Sequence, residues 1–489
     1  MSTTRLPERA SFRLAPATLI GAGGVLGFAP FGLFWLAPAV WLGLFVLLRR
    51  TDSPREAALS GLAFGLGFFL TGVSWVYVSL SVFGGMPWWL AGIAAFLFCA
   101  VMAVFPALAG WIFKRWQPVD PWRQALFFAA LIAAVDWLRS WIFTGFPWLV
   151  AGYSQAPPSP LAGFAPLLGV HGLSLLVALC GALLLRWKSG LAFLAVTAAI
   201  GLGLQQVPWT EPVGEPISVA LIQGNIPQEM KFQPEAFLRT LNLYQRLVAE
   251  NPAQLTLLPE TAVPAFFDQL PPDYAEFLKS TAQRHGGDLV FGTITGQGEH
   301  YWNSAVSLGV SPTQSYSKTH LVPFGEFVPP GFSWFMRLAS IPMSSFSRGP
   351  EKQPPLAVAG QQLAVNICYE DVFGEEIIRS LPRAGILANL SNTAWFGRSL
   401  AQPQHLQIAR MRAVETGRPM LRATNTGMTA VIGADGKIQA ILPAFTQDVL
   451  HSEIRAHQGM TPYARYGNLV FLLLVGVCVL VSRQPQRRR

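Results

Sequence analysis

The sequence predicts a polytopic α-helical membrane bundle joined to one α/β domain. Of its 489 residues, 52% are hydrophobic and only 12% are charged, whereas soluble domains carry roughly 25% charged residues. The charges are unevenly distributed, because residues 15–206 contain very few of them and residues 210–460 have an ordinary soluble composition. Strand-like and helix-like patterns alternate in this second region. We therefore expect an N-terminal membrane domain over 15–209 and a folded domain over 210–460.

The membrane domain is predicted from long apolar runs. Most of them approach or exceed the ~20 residues needed to cross the hydrocarbon core of a bilayer. They cover approximately 15–30, 32–48, 57–81, 87–113, 124–142, 163–185 and 190–206, with a last run at 467–482. About eight transmembrane helices are expected, seven of them before the folded domain and one after it.

Basic residues alternate between the loops and predict the orientation. They lie in the tail 1–14, near 49–55, 114–123 and 186–188, and in the tail 483–489, whereas the loops near 82–88 and 143–162 carry no charge. Lys and Arg mark the cytoplasmic side of a membrane. Both tails are therefore expected in the cytoplasm, and residues 210–460 on the outer face. These basic anchors account for the net charge of +9, which for this reason does not indicate nucleic-acid binding.

The expected active residue of the folded domain is Cys368, at the end of the apolar strand 363–367. The other three cysteines of the chain lie inside apolar runs, so a disulfide with Cys368 is not expected. A thiol at a strand end is a candidate nucleophile, although a small buried hydrophobic residue is the alternative. The acidic pair Glu370 and Asp371 follows at once.

Two other segments supply groups that a thiol nucleophile needs. The apolar strand 255–259 ends at Glu260, and the segment 316–326 carries Lys318 and Glu326. A carboxylate can take the thiol proton, and a fixed cation can stabilise the oxyanion that forms after attack. Each residue alone is a weak signal. Glu260 could be a helix-terminal acid, and Lys318 a surface charge.

The order of these segments resembles the nitrilase, or carbon–nitrogen hydrolase, superfamily. Strand-Pro-Glu260, then Lys318 with Pro-Phe-Gly-Glu326, then strand-Cys368-Tyr-Glu is similar to the pattern around its Glu–Lys–Cys triad. The resemblance implies an α-β-β-α sandwich for residues 210–460. No phosphate-binding loop and no His/Cys cluster occurs in this domain, so neither a cofactor nor a metal is expected.

The whole chain is similar to the apolipoprotein N-acyltransferases of Gram-negative bacteria, a membrane-integrated branch of that superfamily. The most specific segments are 223–228, 318–326, 368–370, 393–397 and 404–412. The resemblance implies acyl transfer from a membrane phospholipid, through a thioester on Cys368, to the α-amine of a diacylglyceryl-cysteine at a lipoprotein N-terminus. It also implies an inner-membrane protein whose catalytic domain faces the periplasm.

The same resemblance implies supporting roles near the triad. Glu326 and Glu370 would orient Lys318 and tune the site, with surface or capping acids as the alternative, and a backbone N–H near Tyr369 would assist the oxyanion. The family often has Trp where Phe232 follows Lys231, so a hydrogen-bonding role there is in doubt.

Several aromatic residues are lipid-binding candidates besides Phe232. Trp148 lies in an uncharged loop that could instead be an interfacial aromatic belt, and Trp395 and Phe396 lie in the segment 393–397. The segment 329–350 is unusually apolar and includes Trp334 and Phe335. We interpret it as an arm that contacts the membrane; a satellite core beneath a loop is the alternative.

Two other functions remain open from the sequence. A membrane-tethered amidase or nitrilase acting on a small amide would share the triad but would not need eight spans. A transporter or scaffold with a degenerate domain would not need an intact triad. Asp136 and Arg139, one helical turn apart within an apolar run, should pair. This pair is either structural or functional.

Overall fold

The structure is a computed structural model that describes residues 8–228, 234–329, 331 and 345–483. The chain divides into two compact units. The first comprises Met1–Tyr77, Trp88–Val207 and Tyr466–Arg489, and the second comprises Val78–Pro87 and Pro208–Arg465. The second unit thus includes a short stretch from the predicted membrane region.

The helices are numbered here in chain order. They are α1 (Glu8–Gly24), α2 (Ala37–Arg49), α3 (Pro54–Gly72), α4 (Val76–Val78), α5 (Trp88–Arg115), α6 (Pro121–Arg139), α7 (Ala165–Leu183), α8 (Trp187–Leu204), α9 (Pro234–Glu250), α10 (Pro272–Arg284), α11 (Gly374–Ile377), α12 (Ala401–Thr416), α13 (Pro462–Tyr466) and α14 (Leu469–Arg483).

Several helices of the first unit are apolar enough to lie in a membrane. Among the described residues, three are long and apolar enough to cross one, namely Trp88–Arg115, Pro160–Leu183 and Trp187–Leu204. A fourth is added if the bent pair Pro54–Gly72 and Val76–Phe83 forms one span. Shorter apolar helices cover Leu14–Gly27, Phe34–Arg49 and Leu469–Arg483. The predicted region of several apolar helices is confirmed, and the count of eight stays a prediction.

Two predicted apolar runs are interrupted in the structure. The run 57–81 breaks after Gly72 and continues as a short π-helix, Ser79–Phe83. Within α7, Gly169 has φ +66°, a left-handed conformation that glycine adopts without a Cβ clash. Hydropathy does not report such breaks, because the side chains on both sides remain apolar.

The predicted pair of Asp136 and Arg139 forms inside the first unit. Arg139 Nη2 lies 3.2 Å from Asp136 Oδ1, and Arg139 Nη1 donates to the carbonyls of Phe146 and Trp148. The other carboxylate oxygen of Asp136 accepts from the backbone N–H of Ala151, at 2.9 Å. The buried pair therefore satisfies the backbone of the loop that follows α6, which is the structural alternative for these charges.

The second unit contains two six-stranded sheets. Their strands are β1 (Glu211–Gln223), β2 (Leu255–Leu257), β3 (Asp288–Gln297), β4 (His300–Gly309), β5 (Ser315–Ser317), β6 (Leu356–Val358), β7 (Gln361–Ile367), β8 (Ile386–Ser391), β9 (Met420–Thr424), β10 (Ala430–Ile432), β11 (Ile438–Ile441) and β12 (Asp448–Gln458). The sheet orders are β12-β1-β2-β3-β4-β5 and β11-β10-β9-β8-β7-β6. At the centre of each sheet three strands run parallel, β1-β2-β3 in one and β7-β8-β9 in the other.

The two sheets pack face to face and are covered by helices. Alternate strand residues point to opposite faces, and those facing inward, such as Leu221, Leu363 and Ile386, form one shared core. On the outer face of the first sheet, Tyr244 of α9 and Leu278 of α10 join a second core. α11 and α12 cover the outer face of the second sheet in the same way. The expected α-β-β-α sandwich is confirmed.

β6 and β12 pair in different ways. β6 is only three residues long, and β12 pairs antiparallel with β1 over Asp448–Gln458. This pairing extends along β1 from Glu211 to Gln223. Because β12 pairs with a segment more than 200 residues away, local periodicity gives a weak signal for it. β6, by contrast, pairs antiparallel with the next strand in the chain, β7.

Candidate active site

The candidate site forms where strands of the two sheets end. β2 leads into Glu260, β5 into Lys318, β7 into Cys368 and β8 into Asn392. Carboxyl ends of parallel strands meet at the same edge of a sheet, where functional side chains commonly collect. All of these residues are buried, and all belong to the second unit.

Lys318 bridges the two acids that the sequence singled out. Its Nζ lies 2.9 Å from Glu326 Oε1 and 3.4 Å from Glu260 Oε1. Lys318 is only 1% exposed, and the two glutamates are 7% and 8% exposed. A buried ammonium needs such charged partners, because its desolvation is otherwise costly. The structure thus brings Glu260, Lys318 and Glu326 into one charged cluster.

Asn303, on β4, is a member of this cluster that the sequence reasoning missed. Its Nδ2 donates to Glu260 Oε1 at 2.8 Å and to Glu326 Oε1 at 2.9 Å. Asn303 therefore bridges the same two oxygens as Lys318 but without adding a charge. A polar residue inside the apolar strand Tyr-Trp-Asn-Ser-Ala-Val was the available signal.

The second oxygen of Glu260 is held by the loop after β8. Glu260 Oε2 accepts from the backbone N–H of Asn392 at 2.8 Å. The side chain of Asn392 in turn donates to Gln228 Oε1 at 2.7 Å. The segment 223–228, singled out in the sequence, therefore lies behind Glu260 and fixes the loop that binds it.

Cys368 has an unusual backbone conformation. Its φ is +53°, in the left-handed region that costs a non-glycine residue about 1–3 kcal/mol unless its surroundings hold it there. β7 ends at Ile367, and a 3₁₀ turn begins at Cys368 itself. This sharp strand-to-turn transition places the thiol at the edge of the sheet.

Glu370 fastens this turn to the segment that carries Lys318. Its carboxylate accepts from the N–H of Ile367 at 2.6 Å, from the N–H of Thr319 at 2.6 Å and from that of His320 at 3.1 Å. The hydroxyl of Tyr316 donates to it as well, at 3.0 Å. Burial raises the pKa of Glu370, although these N–H donors and Lys318 oppose the rise. Glu370 thus connects the turn that begins at Cys368 with the segment that carries Lys318.

The surroundings of Cys368 favour the neutral thiol at rest. Burial raises the pKa of the thiol, and the charge of Glu260 raises it further, whereas the ammonium of Lys318 lowers it. The net direction is upward from the ordinary value of a thiol. A thiol in this setting needs a base to take its proton before it can act as a nucleophile, and Glu260 is a carboxylate whose charge acts on this thiol.

Lys318 stays positively charged in this site. Burial alone would lower the pKa of its ammonium, but Glu326 and Glu260 outweigh burial and raise it. A fixed cation beside a nucleophile can stabilise an oxyanion without itself moving a proton. The site therefore combines the Cys368 thiol with a carboxylate and a fixed cation whose charges act on it. Within the described part of the chain, no group of three or more His, Cys, Asp or Glu could hold a metal ion.

The remaining predicted residues have different surroundings. Tyr369 is buried and packs edge-on against Phe373, with ring centroids 5.2 Å apart. Trp395 and Phe396 lie in a half-buried 3₁₀ turn after β8, and the carbonyl of Trp395 accepts from Ser79 Oγ at 2.8 Å.

Trp148 belongs to the first unit and is 1% exposed, packed against Trp75 at 5.0 Å. Its side chain is therefore part of the interior of that unit. Phe232, Trp334 and Phe335 lie outside the described residues, so their roles stay predictions.

The fold and this cluster define the chain as a member of the carbon–nitrogen hydrolase class, whose family model matches residues 218–460. A second family model, the apolipoprotein N-acyltransferase N-terminal domain, matches residues 20–183. An apolipoprotein N-acyltransferase from Nitrosomonas europaea is 51% identical over 484 residues, covering 96% of this chain and 97% of the relative. One from Ralstonia nicotianae is 45% identical over 98% of this chain and 95% of the relative. The chain belongs to the apolipoprotein N-acyltransferase family, which is a family of enzymes.

A carbon–nitrogen hydrolase from Helicobacter pylori is 20% identical, with a TM-score of 0.37, over 49% of this chain and 89% of that chain.

Proposed function

We propose that this enzyme transfers an acyl chain from a membrane phospholipid to the N-terminal diacylglyceryl-cysteine of lipoproteins. The observation that carries the proposal is the buried Lys318 held between Glu260 and Glu326, with their charges acting on Cys368. Family membership extends over the helical region as well as the catalytic domain. The alternative of a membrane-tethered amidase is not favoured, because relatives matching nearly the full length are named acyltransferases.

In the first half-reaction Glu260 takes the proton of Cys368 as the sulfur forms a bond to the ester carbonyl carbon of the phospholipid. Lys318 stabilises the resulting oxyanion. The ester C–O bond then breaks, and Glu260 returns the proton to the departing oxygen. A lysophospholipid leaves, and the acyl chain remains on Cys368 as a thioester.

In the second half-reaction the α-amine of the diacylglyceryl-cysteine attacks the thioester carbonyl. A C–N bond forms, the C–S bond breaks, and a proton from the amine passes through Glu260 to the sulfur. The products are an amide and the regenerated thiol. Glu326 and Glu370 orient Lys318 throughout, and the N–H of Tyr369 assists the oxyanion.

The test of this proposal is the acyl-enzyme itself. Purified enzyme incubated with a phospholipid of defined chain length should gain the mass of that acyl chain on the peptide containing Cys368, and hydroxylamine should remove it. Cys368→Ser should form no adduct, because an alkoxide is much harder to generate than a thiolate. Cys478→Ser is the matched control and should acylate normally. An adduct on another residue, or none in the wild type, would refute the proposal.

The acceptor is tested separately with the acylated enzyme. A diacylglyceryl-cysteine peptide with a free α-amine should discharge the thioester and appear as the N-acyl product. The same peptide with an acetylated α-amine should leave the thioester intact. Equal discharge by both peptides would mean that water is the acceptor, as in a hydrolase.

We further propose eight membrane spans in the bacterial inner membrane, with both termini cytoplasmic and residues 210–460 in the periplasm. The alternation of basic and uncharged loops supports this orientation. A cysteine introduced at the exposed position Gln297 should react with a membrane-impermeant maleimide in cells whose outer membrane alone is permeabilised. Labelling only after the inner membrane is broken would contradict this orientation.

A further inference from the structure

The mechanism leaves Asp371 without a function, although it lies in the 3₁₀ turn that begins at Cys368. Its carboxylate is completely buried and is bound from two sides. Arg422, on β9, places Nη1 3.0 Å from Asp371 Oδ2, and His405, on α12, places Nε2 2.6 Å from Asp371 Oδ1. Burying these groups is costly, so the arrangement calls for an explanation.

The same arginine also reaches the backbone of Cys368. Arg422 Nη1 donates to Asn389 Oδ1 at 2.7 Å. The amide of Asn389, on β8, then donates to the carbonyl of Cys368 at 3.0 Å. Asn389 is fully buried and Arg422 is 1% exposed, so water does not screen these contacts.

These contacts close a ring around the strained turn. From Cys368 the ring follows the backbone to Asp371, crosses to Arg422, passes through Asn389 and returns to the Cys368 carbonyl. It fixes both ends of the segment from Cys368 to Asp371, whose first residue has φ +53°. Glu370 binds the strand and the Lys318 segment at the same turn, but it does not contact the Cys368 carbonyl in this way.

We propose that Arg422, acting through Asn389 and Asp371, is a positioning residue that holds Cys368 in register with Glu260 and Lys318. Without the ring the turn can relax toward ordinary backbone angles, which moves the sulfur away from the base and the cation. A misplacement of the order of 1 Å in reacting groups can cost about 10²-fold in rate. This inference rests on Cys368 being the nucleophile of the proposed function.

The test compares two reactions of the same thiol. Acylation by the soluble ester p-nitrophenyl butyrate needs Cys368 aligned with Glu260 and Lys318, whereas alkylation by iodoacetamide needs only a reachable thiol. Both adducts are followed by mass spectrometry on the peptide containing Cys368. The measured quantity is the ratio of the acylation rate to the alkylation rate.

Arg418 provides the matched control. It is also a fully buried arginine, but it lies just before β9, at the sheet edge opposite to Cys368. There it donates to the carbonyls of Ala384 and Gly459. Arg422→Met should lower the ratio by about tenfold to 10²-fold, and Arg418→Met should leave it unchanged. Asn389→Leu removes the donor to the Cys368 carbonyl without removing a charge, and it should lower the ratio as Arg422→Met does.

The outcomes separate this inference from the proposed function. If Arg422→Met does not fold, Asn389→Leu alone decides the matter. If the ratio in either variant equals that in Arg418→Met, the ring has only a structural role and the inference is wrong. If the wild type is acylated by the soluble ester but not by phospholipid, the proposed donor is wrong while the positioning role stands.

Discussion

Replacing Lys318 with methionine tests the charged cluster most directly. In the wild type, Lys318 Nζ lies 3.4 Å from Glu260 Oε1 and 2.9 Å from Glu326 Oε1. The substitution leaves both carboxylates buried with no cation between them. Removing one partner from a buried ionic cluster typically costs about 3–5 kcal/mol in stability. Loss of an oxyanion-stabilising group typically costs about 10²–10³-fold in rate. We therefore expect Lys318→Met to be both less stable and unable to form the acyl-enzyme at a useful rate.

A double variant separates these two effects. In Lys318→Met/Glu326→Gln the surplus carboxylate is removed, while Glu260 keeps its donors Asn303 and Asn392. Most of the lost stability should return, because one buried negative charge remains, already bound by N–H groups. Acyl-enzyme formation should not return, because the cation is still missing.

The assay combines the thermal midpoint in detergent with the rate of acyl-enzyme formation from phospholipid. Lys437→Met is the matched control, since Lys437 pairs with Asp435 at 2.8 Å on the exposed surface. Such a pair is screened by solvent and contributes within about 1 kcal/mol. If Lys318→Met is acylated at the wild-type rate, Lys318 is not the oxyanion cation. If the double variant is as unstable as the single one, charge imbalance is not the cause of the instability.

Three further predictions follow from the described contacts. Glu260→Gln should block acyl-enzyme formation without unfolding the domain, because the amide keeps an acceptor for Asn392 N–H but cannot take the thiol proton; normal acylation would exclude Glu260 as the base. Asn303→Leu should lower both stability and acylation, since it removes donors at 2.8 and 2.9 Å from two carboxylates, whereas a loss of stability alone would limit Asn303 to a structural role. Burial, and to a smaller extent Arg422, lowers the pKa of His405 below 6.5 even though Asp371 opposes this, so the folded protein holds the neutral ring. The unfolded chain binds a proton there as the pH falls through about 6.5, and the wild type should lose stability between about pH 7.5 and about pH 5. His405→Gln should lose less over this range, measured by thermal midpoints with His451→Gln as the control; equal losses in His405→Gln and in the wild type would contradict this.

The candidate catalytic residues could be predicted from the sequence because each lies in a short local pattern. The apolar strands that end at Glu260 and at Cys368, and the short segment that carries Lys318 and Glu326, are visible without knowing how the chain folds. The uneven distribution of charge likewise divides the chain into helical and α/β parts, because exclusion of charge from an apolar environment depends on composition alone. The paired charges Asp136 and Arg139 follow from helical spacing.

Only the tertiary structure decided which polar residues support these groups. Asn303, Asn389, Asn392 and Arg422 lie 40 residues or more from Glu260, and the hydrogen bonds that give them a role connect separate strands. The same holds for β12, whose existence depends on pairing with β1 across more than 200 residues. A hydrogen bond is specified by distance and direction between two atoms. Local sequence constrains neither quantity for atoms that only the folded sheets bring together.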